Sequence, residues 1–252
     1  MKNSEWLNAL ETPFLLIDEF RFQRNIDRLY QRTEKLGSQI RPHLKTLRSI
    51  EAGRYLLKDA ASPATVSTLA EAEAFAAAGY TNLLYAVGIA PHKLPRIANL
   101  IRKGVDIHIL LDSPEQARAV TDYARANGVT FSVFIEIDCD GHRGGIPPES
   151  DALLKLAQQI DGNGATLTGL LAHAGESYAC RTDEAIRAAA RAECEAINTA
   201  GRRVRALGIA CPELSVGATP TAHFAEDLTG VTEVRAGVFT TFDLVMKNVG
   251  VC

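Results

Sequence analysis

Apolar residues along this chain fall into two alternating periodicities, and their order implies an architecture. Compact runs rich in Val, Ile, Leu, Phe and Ala recur at 39–45, 64–68, 83–87, 105–111, 131–137, 167–172, 213–216 and 232–235. Between them the apolar positions follow helical spacing. The segment 20–36 places Phe20, Ile26, Leu29 and Leu36 at that spacing and then meets Gly37, a residue suited to ending a helix. Further helices are predicted at 49–57, 71–78, 94–102, 114–127, 150–160, 183–200 and, briefly, 222–227. Several strand runs are continuously apolar rather than alternating, as strands of a parallel sheet buried on both faces are. Eight strands, each but the last followed by helix, are what a closed TIM-like (β/α)8 barrel requires.

A ninth run, at 14–18 behind Pro13, has no place in an eight-stranded barrel and is expected to be an orphan N-terminal strand in want of a partner sheet. Only nine residues follow Asp243, so the helix after the eighth strand is expected to be missing or very short. The pattern divides the chain into a strand and helix leading in (1–38), the barrel (39–243) and a terminal stub (244–252). Both ends read as parts of something larger.

Composition narrows the chemistry. A length of 252 residues, 46% hydrophobic and 23% charged, suits one barrel rather than two small domains. The formal charge of -3, with arginines scattered along the chain, gives no footprint for nucleic acid or an acidic membrane surface. No stretch approaches the roughly 20 apolar residues that span a bilayer, and the first residues carry no signal-peptide core. Five cysteines at irregular spacings, without a Cys-x-x-Cys pair, point to neither a disulfide framework nor a zinc knuckle and suit the cytoplasm. A small-molecule substrate is left as the expected partner.

In an α/β barrel, reactive groups sit at the C-terminal ends of strands. Lys45 ends the first strand. A lysine aimed into a barrel is costly to desolvate, so its pKa falls toward the range where the amine attacks aldehydes, and Lys45 is the candidate Schiff-base residue. On local sequence alone, a solvated strand-end lysine is the commoner case. Thr68 and Glu71 follow the second strand, Arg143 the fifth, and His173, Ser177 and Tyr178 the sixth. The turn Gly217-Ala218-Thr219-Pro220-Thr221 follows the seventh and offers N–H and hydroxyl donors to a phosphate, with Gly237 after the eighth adding another. A phosphate on one side of the mouth and a desolvated lysine on another, with His173 and Arg143 between, describe a pocket for pyridoxal phosphate. His173 would stack on the pyridine ring and Arg143 would hydrogen-bond the phenolic oxygen. Glu71, Asp112, Glu136, Asp138 and Asp140 form no legible acid/base pair, and His92, His108, His142 and His223 form no metal spacing with one another or with the cysteines. No metal ligand is assigned.

These residues resemble the fold-type III pyridoxal-phosphate enzymes of the D-threonine aldolase and D-serine dehydratase group, related to the alanine racemase N-terminal domain. The resemblance runs from Thr12 to about Asp243. Its most specific parts are Arg41-Pro42-His43-Leu44-Lys45-Thr46, the segment from Ile137-Asp138 to Arg143-Gly144-Gly145, His173-Ala174-Gly175 with Ser177-Tyr178, Val216-Gly217-Ala218-Thr219-Pro220-Thr221, and Glu233-Val234-Arg235-Ala236-Gly237. It implies that Lys45 carries the cofactor with His43 beside it, that Arg143 contacts the phenolate, that Tyr178 lies near the pyridine nitrogen, and that Gly217, Thr219 and Gly237 hold the phosphate. It also implies lyase chemistry on D-configured β-hydroxy amino acids.

The departures are specific. The group usually follows its lysine and threonine with histidine and lysine, where this chain has Leu47 and Arg48, and usually has a tyrosine where this chain has Phe239. Relatives of this kind continue into a C-terminal β-domain with a zinc or manganese site of one histidine and one acidic or cysteine ligand. A metal is therefore expected only with that domain, and pyridoxal phosphate binding is expected with weak or absent turnover. Two other readings are a single-barrel protein of pyridoxal-phosphate homeostasis and an amino-acid racemase. Association as a homodimer is left open.

Overall fold

The computed structural model describes residues 4–141 and 143–252. The chain enters through α1 (Glu19–Lys35), whose start is fixed by Asp18: its carboxylate accepts the Arg21 N–H at 3.0 Å. Phe22, Ile26, Leu29 and Thr33 form the buried face of α1, and Gly37, at φ +78°, turns the chain into the sheet.

Eight strands follow: β1 (Gln39–Ile40), β2 (Ala64–Val66), β3 (Asn82–Gly88), β4 (Asp106–Leu111), β5 (Phe131–Ile137), β6 (Ala165–Ala172), β7 (Glu213–Val216) and β8 (Glu233–Val234). Helices α2 (Ile50–Gly53), α3 (Leu69–Ala77), α4 (Leu94–Arg102), α5 (Pro114–Asn127), α6 (Asp151–Ile160), α7 (Asp183–Arg205) and α8 (Thr219–Phe224) alternate with them, and α9 (Leu244–Val249) comes last. Every strand pairing is parallel, in the order β1-β8-β7-β6-β5-β4-β3-β2. The ring closes where the Thr65 N–H of β2 donates to the Pro42 carbonyl at 2.9 Å and His43 bridges to Thr65. This is the (β/α)8 barrel that the alternation of strands and helices requires.

The two faces of each strand serve two cores. Leu83 and Tyr85 join the large cluster under the helices, while Leu84 joins Leu110, Phe134 and Leu171 in a small cluster of its own, as strand alternation dictates. A polar chain runs beside it from the first and last strands. Arg41 Nε donates to Glu233 Oε2 at 2.6 Å and its Nη1 to Asn82 Oδ1 at 2.7 Å. The Ser215 hydroxyl donates to Glu233 Oε1 at 2.6 Å, and Arg235 donates to Ser215 Oγ and to the Ala172 carbonyl, both at 2.5 Å. Two buried arginines are thereby held by one carboxylate and neutral oxygens.

Several predicted elements come out differently. Residues 14–18 form no strand: the segment has no regular secondary structure and is open to solvent, with Leu15 97% exposed, because the eight strands pair with one another around the barrel and none offers this run a partner. The first strand, expected over 39–45, ends after Ile40. Arg41 and His43 still donate to the Val234 and Ala236 carbonyls, but Leu44–Thr46 then curls into a single 3-10 turn that carries Lys45. Helix α7 runs to Arg205 rather than 200, because Ala200, Gly201 and Val204 continue its buried face. Helix α8 starts at Thr219, where Pro220 occupies the first turn, a position that tolerates the missing N–H. The short last helix is present, capped by Asp243, whose carboxylate accepts the Met246 N–H at 2.8 Å. No helix of the described residues is long and apolar enough to cross a membrane.

Candidate active site

Lys45 sits on the 3-10 turn just past β1, with its side chain reaching solvent at the mouth. The turn is fixed from beneath. A Cβ on Gly237 would lie 2.9 Å from the His43 carbonyl oxygen and 3.0 Å from Thr46 Oγ1, so only glycine lets the end of β8 approach the lysine's backbone this closely. The Lys45 ammonium is held below the usual lysine range, first by lost hydration against the wall behind it, then by the positive charges of Arg143 and Arg235, with Glu71 opposing.

Two imidazoles share that environment. His43 is pulled down to about 2 by burial, then by Lys45, Arg235 and His173. His173 is pulled down to about 3 by burial, then by Arg143, Arg235 and Lys45. Both rings are neutral at neutral pH, and the shared causes bring Lys45, His43, Arg143, His173 and Arg235 into one electrostatic neighbourhood at the C-terminal ends of the strands. Arg235 is the deepest of the set, and burial lowers it to about 10 against the favourable charges of Glu233, Glu193 and Glu136.

Tyr178, on the turn after β6, stacks on His173 with ring centroids 6.2 Å apart and 26° between planes, and its hydroxyl accepts the Thr219 N–H at 3.4 Å. Thr219 is 1% exposed, and its Oγ1 faces the Tyr178 hydroxyl without reaching hydrogen-bond distance and angle to any group among the described residues. A buried hydroxyl without a partner at a strand-to-helix turn fits an oxyanion ligand such as a phosphate. Gly217 contributes by what it lacks, since a Cβ there would come within 3.0 Å of both the Cβ and the carbonyl oxygen of Arg235. Its N–H is directed inward, donating to Glu193 Oε1 at 3.1 Å.

Arg143 belongs to the loop after β5. That loop is pinned by the Gly145 N–H donating to Asp112 Oδ2 at 3.0 Å and the Gly141 N–H to Asp138 Oδ1 at 2.8 Å. The stem of Arg143 lies on Gly175, where a Cβ would be 3.1 Å from its Cδ. Glu136 nearby has its pKa raised by burial, an effect that Arg143 opposes.

Other polar residues at the mouth have structural employment. Thr68 and Glu71 form a reciprocal capping box that starts α3, and Glu71 Oε2 also accepts the Ser67 N–H at 2.7 Å. The described histidines outside the mouth are scattered: His108 lies against Phe134, His223 against Phe242, and His92 on a turn before α4. His142 lies outside the described residues. Among those described, no three His, Cys, Asp or Glu side chains gather as metal donors. A cleft of about 790 Å³ along the outer face of α1 includes Arg24, Arg28 and Glu226 but shares no residue with the mouth.

Two residues of the mouth were not singled out from sequence. Arg235 stood only within a longer motif. Glu193 lies on the apolar stripe of α7 with Ile186, Ala190 and Ile197, and a carboxylate on a buried helical face was the available signal.

The fold and this mouth define an α/β barrel with charged and polar groups gathered at the C-terminal ends of its strands. The model of the alanine racemase N-terminal domain matches residues 17–244, and the chain belongs to that family. It is similar to the D-threo-3-hydroxyaspartate dehydratase of Delftia sp., 47% identical over 98% of this chain and 65% of that protein, with a TM-score of 0.95 to its solved structure. That dehydratase has also been solved as a cysteine-to-alanine mutant in a metal-free form. An alanine racemase-like protein from Idiomarina loihiensis matches with 57% identity and a TM-score of 0.94 over 98% of this chain and 66% of its own. The D-serine dehydratase of Dictyostelium discoideum is 30% identical over 100% of this chain and 68% of that protein. The chain thus spans about two thirds of the length of these relatives.

Proposed function

We propose that this barrel binds pyridoxal phosphate through Lys45 and serves a lyase that acts on D-configured β-hydroxy amino acids. The observation that carries the reading is the meeting, at one mouth, of a lysine with a depressed pKa and a buried, unpartnered threonine hydroxyl placed for a phosphate. Pyridoxal phosphate, when bound, supplies the electron withdrawal that lets a bond at the substrate Cα break. The chain's own groups do the rest. Lys45 Nζ, its ammonium disfavoured by lost hydration and by Arg143 and Arg235, would hold the cofactor at its carbonyl carbon and would be the amine placed to accept the Cα proton. His173, neutral and stacked with Tyr178, would offer a ring face to the pyridine, and Arg143 would donate to the phenolic oxygen. Thr219 and the small-residue turn at Gly217 would receive the phosphate, with Gly237 on the Lys45 side.

Dehydration is favoured over retro-aldol cleavage because relatives at 47% and 30% identity are dehydratases. A zinc or manganese ion would serve to engage the β-hydroxyl; among the described residues no three His, Cys, Asp or Glu side chains gather as donors for one. The five unpaired cysteines suit the reducing cytoplasm, where we place the protein. The test is a product assay on D-threo-3-hydroxyaspartate and D-serine with pyridoxal phosphate and zinc or manganese. The expected products are oxaloacetate and pyruvate with ammonia. Loss of optical rotation without a keto acid would overturn the lyase reading in favour of racemisation.

A further inference from the structure

Glu193 is the one carboxylate on the buried face of α7, 2% exposed, and all its hydrogen bonds come from neutral groups. Its Oε1 accepts the N–H of Ala174 at 2.9 Å, just after β6, and of Gly217 at 3.1 Å, just after β7. Its Oε2 lies 2.7 Å from the Thr221 hydroxyl oxygen in α8. One side chain therefore ties together the two strand ends and the helix around which His173 and Thr219 are arranged.

The hydrogens at Thr221 indicate the charge state. Thr221 Oγ1 lies within bonding distance of Glu193 Oε2 and also 3.2 Å from the Ala218 carbonyl oxygen, yet it carries a single hydrogen. If Glu193 is ionised, that hydrogen serves one oxygen and the other contact holds none. If Glu193 carries a proton on Oε2, it donates to Thr221, Thr221 donates to Ala218, and Oε1 still accepts both N–H groups. An ionised carboxylate under this turn would also repel the phosphate, with little water to screen it.

We propose that Glu193 is a positioning residue of the phosphate turn, held as a neutral carboxylic acid that fixes Ala174, Gly217 and Thr221 in place. The inference rests on the pyridoxal-phosphate reading of the mouth. Burial pushes the Glu193 carboxyl up, against the hydrogen bonds from Thr221, Ala174 and Gly217 and the charge of Arg235. The titratable groups that face it are Arg235 from β8, Cys139 from the loop after β5, Tyr178 from the turn after β6 and Cys194 on its own helix.

Two variants and two readouts test this. Glu193→Gln preserves the bonding of the neutral acid, its amide oxygen accepting both N–H groups and its NH2 donating to Thr221, whereas Glu193→Leu removes all three. Pyridoxal phosphate titrations at pH 7 are expected to show Leu weakening affinity at least tenfold and Gln recovering most of that loss. As pH rises through the raised Glu193 pKa, the parent is expected to lose affinity relative to Gln. Infrared spectra of the apo protein are expected to show a protonated carboxyl band at pH 7 that Glu193→Gln removes. Gln binding as poorly as Leu, Leu binding as well as the parent, or no such band would each overturn the proposal. If Leu does not fold, Thr221→Val replaces it, with Thr221→Ser expected to restore the affinity that Val loses; equal affinity of Val and parent would count against the clamp. If the parent itself takes up no pyridoxal phosphate, the functional reading fails, while the infrared band still decides the state of Glu193.

Discussion

At the scale of single residues, the mouth works by unequal treatment of its charges. Arg143 and Arg235 stand close enough to Lys45 to disfavour its ammonium, while Glu71 opposes them weakly from its capping box. Addition to an aldehyde needs the neutral amine, so cofactor attachment should speed up as pH rises through the lowered Lys45 pKa. Removing Arg143 removes a charge that destabilises the ammonium, so the Lys45 pKa rises. Arg143→Gln is therefore expected to move the midpoint of the attachment rate to higher pH and to slow attachment severalfold at pH 7, as stopped-flow absorbance would show; an unchanged midpoint would remove Arg143 from this role. Lys45, His173 and the Gly217 turn could be picked out from the sequence because each comes at or just after the end of an apolar strand run, and Arg143 because it lies in the loop that follows one. Glu193 and Arg235 were not, because what defines them lies elsewhere in the chain: Glu193 reaches Gly217 across 24 residues and Arg235 reaches the Ala172 carbonyl across 63.

At the scale of elements, the strands carry the site by means of a polar chain inside the ring. Glu233 of β8 receives Arg41 at one oxygen and Ser215 at the other, and Ser215 in turn receives Arg235. Replacing Glu233 by leucine would leave Arg41 buried without its counter-charge. Breaking a buried pair from one side costs about 3–5 kcal/mol, and Glu233→Leu is expected to lose stability of that order in urea unfolding, whereas a loss below about 1 kcal/mol would contradict it. Strand positions from β2 onward followed closely from apolar runs, and only their ends moved. The first strand did not, since the closing geometry at His43 and Thr65 and the curl at Leu44–Thr46 arise from contacts with β2 and β8 that a local pattern does not contain. The same holds for residues 14–18: their apolar run reads as a strand, but strand formation needs a partner edge, and the ring offers none.

At the scale of the whole molecule, the barrel gathers at one end groups that the chain spreads from Lys45 to Gly237, and family membership over residues 17–244 covers the same span. The chain has eight lysines, so selectivity among them is a property of the folded barrel rather than of lysine chemistry. Among those, Lys45 combines the turn after β1, the flanking arginine charges and a place at the same mouth as the buried Thr219 hydroxyl. The most direct measurement is borohydride reduction of the folded chain with stoichiometric pyridoxal phosphate, followed by peptide mapping. A phosphopyridoxyl group on Lys45 alone, lost in Lys45→Ala and in urea-unfolded protein, is the expected result. Labelling spread over several lysines, or concentrated on a residue other than Lys45, would contradict the assignment.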